Sequence, residues 1–234
     1  MPLQGALVRS LTIRALRQVS VEERNVIAVW LRERIEAESE AAQVAEPATA
    51  YTNNLPPYMS LDEYFEFESK SQRRYEYVNG VIYAMTGASL AHNNIAGTLF
   101  TSFKAHLRDP CRVFITDAKL KIASATDQII YYPDLIVACN QQEWGRDYVC
   151  NPKLVVEVLS PSTEGIDRRE KAMAYRCVSS IEEYVVVEQE EPMVIVQRRA
   201  ENWKHQIYAG PGAMLQLRSI SLEIPLLQIY EGVL

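Results

Sequence analysis

The chain has 234 residues, of which 48% are hydrophobic and 23% charged, and its formal net charge is −6. This length allows one sizeable core, since domains commonly run to roughly 100–200 residues. The acidic balance argues against a broad basic surface of the kind that dominates non-specific DNA binding, although a local basic face would suffice. No apolar run approaches the ~20 residues of a membrane span, and the first residues lack a signal-peptide pattern, so a cytoplasmic location without membrane contact is expected.

The N-terminal segment predicts a helix followed by a linker. Ser20 and Glu23 form a capping box, and the apolar residues that follow predict a helix of about 20 residues. Residues 45–57 contain three prolines and little apolar periodicity, as linkers do. We therefore expect an N-terminal helical extension at 1–58 and a folded domain at 59–234. The extension could be an oligomerisation arm, a partner-binding arm or sequence upstream of a shorter product.

The cysteines are far apart in the sequence, at Cys111, Cys139, Cys150 and Cys177, with no C-x-x-C and no nearby histidine pair. This spacing favours neither a zinc site nor a disulfide framework. We expect reduced, partly buried thiols.

After residue 59 the chain alternates between strand and helix signals. Ser60 and Glu63 form a second capping box that opens a short helix, and Asn79-Gly80 predicts a two-residue hairpin. Further helices are expected from Ser89 to Leu107 and near 165–178. Strands are expected at 112–115, 118–122, 129–138, 153–159, 183–188, 193–199 and 203–208, followed by a terminal strand with a short helix. The pattern favours a mixed α/β (α+β) fold in which helices pack against a mixed sheet.

Two of the predicted strands each carry one acid in an otherwise apolar stretch. Asp134 lies in Y-Y-P-D-L-I-V-A and Glu157 in N-P-K-L-V-V-E-V-L-S. Both stretches are apolar at odd and even positions, which is typical of strands buried on both faces. An ionised carboxylate buried there needs a cation, a hydrogen-bonded partner or a raised pKa. Exposure at a strand end is the alternative for either acid alone, and Pro133 and Ser160 favour it.

Two acids on neighbouring strands together indicate a cation site. Hard divalent cations such as Mg²⁺ or Mn²⁺ bind carboxylate and carbonyl oxygens together with water. The main-chain carbonyl of Val158 is the expected third protein ligand.

The helix after Glu157 places a lysine on an apolar face. At 100° per residue, Asp167, Lys171, Ala174 and Val178 share one narrow face of an α-helix. The apolar members should face the sheet, so Lys171 is expected to point inward. The alternative is an ordinary Asp167–Lys171 helix pair worth about 0.3–0.5 kcal/mol.

A set of motifs recurs in a known order along this chain. They are M-S-L-D-E-Y, R-Y-E-Y-V-N-G-V-I-Y-A-M, His92 at the head of a helix, Y-P-D-L-I-V, V-V-E-V-L-S-P-S-T and D-R-R-E-K-A-M-A-Y. Over 59–234, about three quarters of the chain, they resemble the Uma-type restriction endonuclease family of the PD-(D/E)XK nuclease superfamily. The resemblance implies a restriction-endonuclease-like core, with a central mixed sheet flanked by helices, and metal-dependent hydrolysis of phosphodiester bonds in DNA. It implies the fold more firmly than the function.

The resemblance also implies a set of catalytic residues. Asp134 matches the aspartate of the P-D motif and Glu157 the second acid, both as metal ligands. The simple superfamily pattern has lysine two positions after the second acid, where this chain has Leu159. The Uma-type group instead presents a lysine from the following helix, which matches Lys171, and an additional acid, which matches Glu76.

Two of the matched residues have plain alternatives. Glu76 lies between two tyrosines and could face solvent from a hairpin strand. His92 could cap its helix or fill a polar niche, which is favoured over a chemical role.

Two other classes of function stay open. A nuclease-like core that binds nucleic acid or a protein partner without cutting would accord with the negative net charge and with Leu159. The other is an interaction protein that assembles through the helix after Ser20. Cutting both strands of a duplex usually needs two sites, which favours a homodimer, although no residue pattern predicts one.

Overall fold

The computed structural model describes residues 58–124, 127–141, 144–160, 167–210 and 212–233, except the side chains of residues 167 and 168. The predicted helix after Ser20 and its linker lie outside these ranges. No helix within them is long and apolar enough to cross a membrane.

The described elements alternate along the chain between short strands and helices. In order they are α1 (Leu61–Lys70), β1 (Tyr75–Val78), β2 (Val81–Ala84), α2 (Leu90–His106), β3 (Arg112–Ile115), β4 (Lys119–Ala123), β5 (Gln128–Tyr131), β6 (Leu135–Ala138), β7 (Tyr148–Val149), β8 (Leu154–Val158), a π-helical turn (Asp167–Lys171), α3 (Ala172–Cys177), β9 (Glu183–Val187), β10 (Met193–Arg198), a 3₁₀ turn (Arg199–Glu201), β11 (His205–Ala209), β12 (Met214–Leu217), a 3₁₀ turn (Arg218–Ile220), β13 (Leu222–Pro225) and α4 (Leu226–Ile229).

Local signals account for the first helix and the first hairpin. At the start of α1, Ser60 accepts from the N–H of Glu63, and the Glu63 carboxylate accepts from the N–H of Ser60, which completes the predicted capping box. β1 and β2 pair antiparallel across Asn79 and Gly80. Both turn residues have positive φ, 48° and 95°, a conformation that asparagine and glycine tolerate best. The predicted helix and hairpin are confirmed.

The strands form two larger sheets and one hairpin. A six-stranded sheet has the order β11-β10-β9-β8-β6-β3, and a five-stranded sheet has the order β2-β1-β5-β4-β7. β8 and β9 are parallel, whereas β8 and β6 are antiparallel, so the six-stranded sheet is mixed. β12 and β13 form the separate hairpin. The predicted mixed α/β fold is confirmed, but the sequence did not predict the second sheet.

The six-stranded sheet is covered on both faces. On one face, Val156 and Val158 of β8 pack in a core with α2, α4 and the β12–β13 hairpin. On the other, Val155 and Leu159 pack in a core with α3 and with β4 and β5 of the second sheet. Because side chains alternate along a strand, Glu157 points to the α3 face. It therefore lies between the two sheets.

The predicted strand 129–138 is wrong, because it is two strands in different sheets. β5 belongs to the five-stranded sheet and β6 to the six-stranded sheet. Pro133 lies between them and lacks the N–H that a continuous ladder would need. Residues 132–134 therefore carry the chain from one sheet to the other, and Asp134 lies at the crossing.

Two predicted elements near the C-terminal half have other forms. The helix expected near 165–178 is, in its described part, the π-helical turn followed by the short α3. The single terminal strand is the β12–β13 pair, joined by a 3₁₀ turn that ends at Ser221 with a φ of 53°. The left-handed residue reverses the chain, and sequence periodicity carries no clear sign of it.

The expectation of four reduced thiols is wrong for two of them. Cys111 and Cys139 form a disulfide. β3 and β6 pair antiparallel with Arg112 opposite Ala138, which brings these two cysteines together although they are 28 residues apart in the sequence. Cys150 and Cys177 form no disulfide, and Cys177 is exposed rather than partly buried.

Candidate active site

The two acids singled out in the sequence lie side by side. β6 and β8 pair antiparallel, with Leu135 opposite Val156. Asp134 precedes Leu135 and Glu157 follows Val156, so the two acids are neighbours. The N–H of Asp134 lies 3.4 Å from Oε2 of Glu157. Glu157 is only 3% exposed. The alternative of exposure at a strand end therefore fails for Glu157, whereas Asp134 is half-buried.

One oxygen of Asp134 is held by the chain and the other is available. Oδ2 accepts the N–H of Val158 at 2.7 Å and lies 3.1 Å from Nε2 of His92. Within the described part of the chain, Oδ1 accepts no hydrogen bond. Val158 thus contributes its N–H to the site, and a ligand role for its carbonyl stays a prediction.

Lys171 points inward, as predicted, although it ends a π-helical turn rather than lying within an α-helix. It is 5% exposed, and its Nζ lies 3.2 Å from Oε1 of Glu157 and 2.9 Å from Oε1 of Glu76. Nζ also lies 5.4 Å from the ring centroid of Tyr131. The Asp167 side chain of the alternative helix pair lies outside the described residues.

Glu76 comes to the site from the second sheet. Its side chain is 14% exposed, so the alternative of a solvent-facing acid is wrong. Its Oε1 is buried and lies 2.9 Å from Nζ of Lys171, but it accepts no directed hydrogen bond from the described residues. We therefore treat the Glu76–Lys171 contact as an electrostatic one.

Tyr175 is a site residue that sequence reasoning missed. Its hydroxyl donates to Oε1 of Glu157 at 2.7 Å. Complete burial, together with the nearby charge of Glu157, raises the pKa of Tyr175 well above its usual value, so the phenol stays protonated and remains a donor. The available signal was spacing, since Tyr175 follows Lys171 by four residues, about one helical turn.

His92 contacts Asp134, a contact that the sequence did not predict. The helix is capped by Ser89 rather than by His92: the main-chain N–H of His92 donates to Oγ of Ser89 at 3.0 Å, and the ring of His92 reaches Asp134. Gln189 links this helix start to β8: Oγ of Ser89 donates to Oε1 of Gln189, and Nε2 of Gln189 donates to the carbonyl of Leu159, both at 2.5 Å. This bridge holds His92 beside the acids.

The site carries more acid than base. Among the described side chains that these contacts join, Glu76, Asp134 and Glu157 formally contribute three negative charges and Lys171 one positive charge, with the imidazole of His92 on Asp134. Among the residues that the structure describes, no group of three or more histidines, cysteines and acids could hold a metal ion. Two carboxylates completed by main-chain oxygen, water and substrate are nevertheless a usual set for Mg²⁺. The excess charge and the available oxygen of Asp134 fit such an ion.

Leu159, two positions after Glu157, is a core residue. It occupies the position where the simple superfamily pattern has lysine, and it is 3% exposed and packs in the core on the α3 face. The ammonium reaches Glu157 from Lys171 instead.

Comparison with known proteins identifies the family of the chain. Residues 61–227 match the Uma2 family, described as "Putative restriction endonuclease". The uncharacterized proteins slr1290 and sll1609 of Synechocystis sp. are 32% identical over 188 residues and 30% identical over 135 residues. The first alignment covers 78% of this chain and 97% of the relative, and the second covers 56% and 75%.

A solved structure shares the fold. The crystal structure of "a putative nuclease belonging to DUF820" from Anabaena variabilis matches with a TM-score of 0.62 at 15% identity, over 75% of this chain and 99% of that one. At this identity the match shows the fold alone. The family match covers more than half of the chain, and the chain therefore belongs to the Uma2 family of restriction-endonuclease-type proteins.

Proposed function

We propose that the chain is a metal-dependent endonuclease that hydrolyses phosphodiester bonds of DNA. The observation that carries the proposal is the meeting of Asp134, Glu157 and Lys171, which come from a sheet crossing, a central strand and a π-helical turn. A structural role alone gives no reason for a buried acid beside a half-buried one that has an oxygen left available.

Asp134 and Glu157 would hold one or two Mg²⁺ or Mn²⁺ ions, with the carbonyl of Val158 as the proposed third ligand. When bound, the metal polarises the scissile phosphate and acidifies a water molecule. Val158 and His92 fix Oδ2 of Asp134, and Tyr175 fixes Oε1 of Glu157, so each carboxylate keeps one orientation.

Lys171 supplies the positive charge that the protein itself brings to the reaction. Its ammonium would position the attacking water or stabilise the negative charge that develops on the phosphoryl oxygens. Glu76 and Glu157 hold that ammonium from two sides. The same two contacts keep Lys171 in a buried position that a lone lysine would leave.

The proposal is tested first by calorimetric titration of Mg²⁺ and Mn²⁺ into the full chain. Asp134→Asn and Glu157→Gln keep the side-chain shape and remove a charge, so both should abolish binding. Glu66→Gln is the matched control, because Glu66 is an exposed acid paired with Lys70 on α1. Equal binding by all four proteins, or by none, would contradict a metal site at these residues.

Cleavage is tested next with plasmid and oligonucleotide DNA, using independent preparations to exclude a contaminating nuclease. Wild type and Glu66→Gln should cut with Mg²⁺ or Mn²⁺ and not with EDTA. Full activity in Asp134→Asn or Lys171→Ala would overturn the assignment.

One observation favours a second candidate, a nuclease-like module that binds nucleic acid or a protein partner without cutting. Lys171 already lies between two carboxylates, and the described residues offer no three-residue metal cluster. DNA binding without cleavage under any metal would favour this candidate. A homodimer and a cytoplasmic location stay predictions.

A further inference from the structure

Residues 83–90 form an exposed border to the candidate site, here called the rim. All eight residues are exposed, and the rim carries three large apolar side chains: Tyr83 at 53%, Met85 at 38% and Leu90 at 89% exposure. Single exposed apolar residues are ordinary, whereas three fall within these eight consecutive residues. A fourth exposed residue, Met173, follows Lys171 by two positions.

Both ends of the rim are tied to residues of the site. Tyr83 lies directly opposite Glu76 in the β1–β2 pair. Directly opposite residues of an antiparallel pair point to the same face of the sheet, so Tyr83 shares the face of Glu76 and hence of Lys171. At the other end, Leu90 precedes by two residues His92, which contacts Asp134. The rim therefore spans the border between these two parts of the site.

The rim cannot hold nucleic acid by charge. Its sequence, Y-A-M-T-G-A-S-L, contains no charged residue, and the site beside it carries an excess of acid. A backbone of phosphates is held mainly by lysine and arginine. What the rim offers instead is the flat face of an aromatic ring on an edge strand, flanked by apolar side chains.

We infer that Tyr83 stacks on an unpaired base, so that the substrate of the proposed endonuclease is single-stranded or locally unpaired DNA; this inference rests on the proposed function. Aromatic side chains bind bases of any sequence by stacking. In an intact duplex both faces of each base are covered by its neighbours, and an enzyme meets a base face only in a single strand or after extruding the base.

The test is binding of short DNA oligonucleotides that carry 2-aminopurine, whose fluorescence falls when it stacks. The full chain is titrated with Ca²⁺ present, and gels verify that the oligonucleotide stays intact. Wild type should bind the single strand about tenfold more tightly than the matching blunt duplex, with a fall in fluorescence, since stacking on one aromatic ring contributes to affinity at this scale.

Three variants sharpen the measurement. Tyr83→Ala should lose about tenfold in affinity, together with the fall in fluorescence, and Tyr83→Phe should stay within about twofold of wild type because the ring remains. Ile207→Ala is the control, since Ile207 is equally exposed, at 59%, on the edge strand β11 of the other sheet. It should bind as wild type does.

The inference is overturned if the duplex binds as tightly as the single strand, or if Tyr83→Ala binds like Ile207→Ala. It is also overturned if no oligonucleotide binds while Tyr83→Ala changes the oligomeric mass in light scattering, because the rim is then a protein contact.

Failure of the proposed function looks different. Tyr83-dependent binding without cleavage under any metal would remove the endonuclease and keep the stacking site. Metal-dependent cleavage that Asp134→Asn abolishes, with binding that does not depend on Tyr83, would remove the stacking site alone.

Discussion

Two buried acids of this chain, Glu183 and Glu157, have very different surroundings. Each lies on a central strand of the six-stranded sheet and each contacts a cation. Oε1 of Glu183 accepts from Nε of Arg198 at 2.6 Å and from the N–H of Arg218 at 3.0 Å. Its Oε2 accepts from the N–H and the hydroxyl of Ser219, at 2.8 and 2.5 Å. Glu183 is saturated by four donors and neutralised by a guanidinium.

At the candidate site the acids outnumber the described cation that contacts them. Glu157 and Glu76 share the ammonium of Lys171, Asp134 lies beside Glu157, and Oδ1 of Asp134 accepts nothing within the described residues. A buried charge is tolerated where its partners are complete, and incomplete partners leave a place for a ligand. The comparison separates a structural ion pair from a candidate functional one.

The largest expected effect is a fall in the cleavage rate of the Glu157→Gln variant. A bound metal stabilises the transition state by several kcal/mol, so loss of a ligand should lower the rate at least ~100-fold. The measurement is the cleavage rate at saturating Mg²⁺, with circular dichroism to verify the fold. A rate within about tenfold of wild type would break the proposed distinction between the two acids.

The matching change in the other cluster, Glu183→Gln, should act on stability instead. Removing one partner of a buried ion pair leaves the other charge uncompensated and costs about 3–5 kcal/mol in free energy of unfolding. Urea denaturation measures this loss, and the cleavage rate per folded molecule should not change. Glu157→Gln should lose less stability, because it also relieves repulsion among three carboxylates. The reverse order of stabilities would contradict the comparison.

A smaller effect is expected from His92→Ala. His92 orients Asp134, and loss of such a partner of a metal ligand typically lowers activity or metal affinity about 10–100-fold. His106→Ala is the control on the same helix, because Nε2 of His106 lies 2.8 Å from the carbonyl of Ile220, away from the acids. Equal losses in the two variants would mean that His92 only supports the helix.

The smallest effect is expected from Tyr175→Phe, which removes the hydrogen bond to Glu157 and keeps the ring. A hydrogen bond to a charged group contributes about 1.5–3 kcal/mol, and because Glu157 keeps its contact with Lys171 we expect the lower end of that range, a fall in cleavage rate of about tenfold. Tyr64→Phe is the control, since its buried hydroxyl donates to the carbonyl of Tyr75 at 2.8 Å. An unchanged cleavage rate in Tyr175→Phe would mean that Tyr175 has a packing role only.

Much of the fold was predictable from short stretches of sequence. The capping box at Ser60, the Asn79-Gly80 turn and the helix over Leu90–His106 each rest on contacts within a few residues. The break at Pro133 was visible too, but its consequence was not. Assignment of β5 and β6 to different sheets depends on partners such as β1 and β8, far away in the chain.

Most residues of the candidate site were predictable from the sequence, but the contacts among them were not. Asp134, Glu157 and Lys171 stood out because acids and a lysine in apolar stretches need partners, whereas Glu76 was named from the family resemblance alone. Tyr175 was missed because a tyrosine is ordinary in such a stretch, and His92 was named without a prediction of its contact with Asp134. Only their distances to Glu157 and Asp134 reveal what they do.

The sequence by itself therefore determined that Glu157 and Lys171 would be buried, since local apolar periodicity reports burial. It did not distinguish Glu157 from Glu183, because both lie in valine-rich strands. Only the tertiary structure decided that Glu183 meets a guanidinium and three further donors, whereas Glu157 lies beside two other acids, Glu76 and Asp134. The donors to Glu183 come from residues 15 to 36 positions later in the chain, and hydrogen bonds over such separations exist only once the sheets have formed.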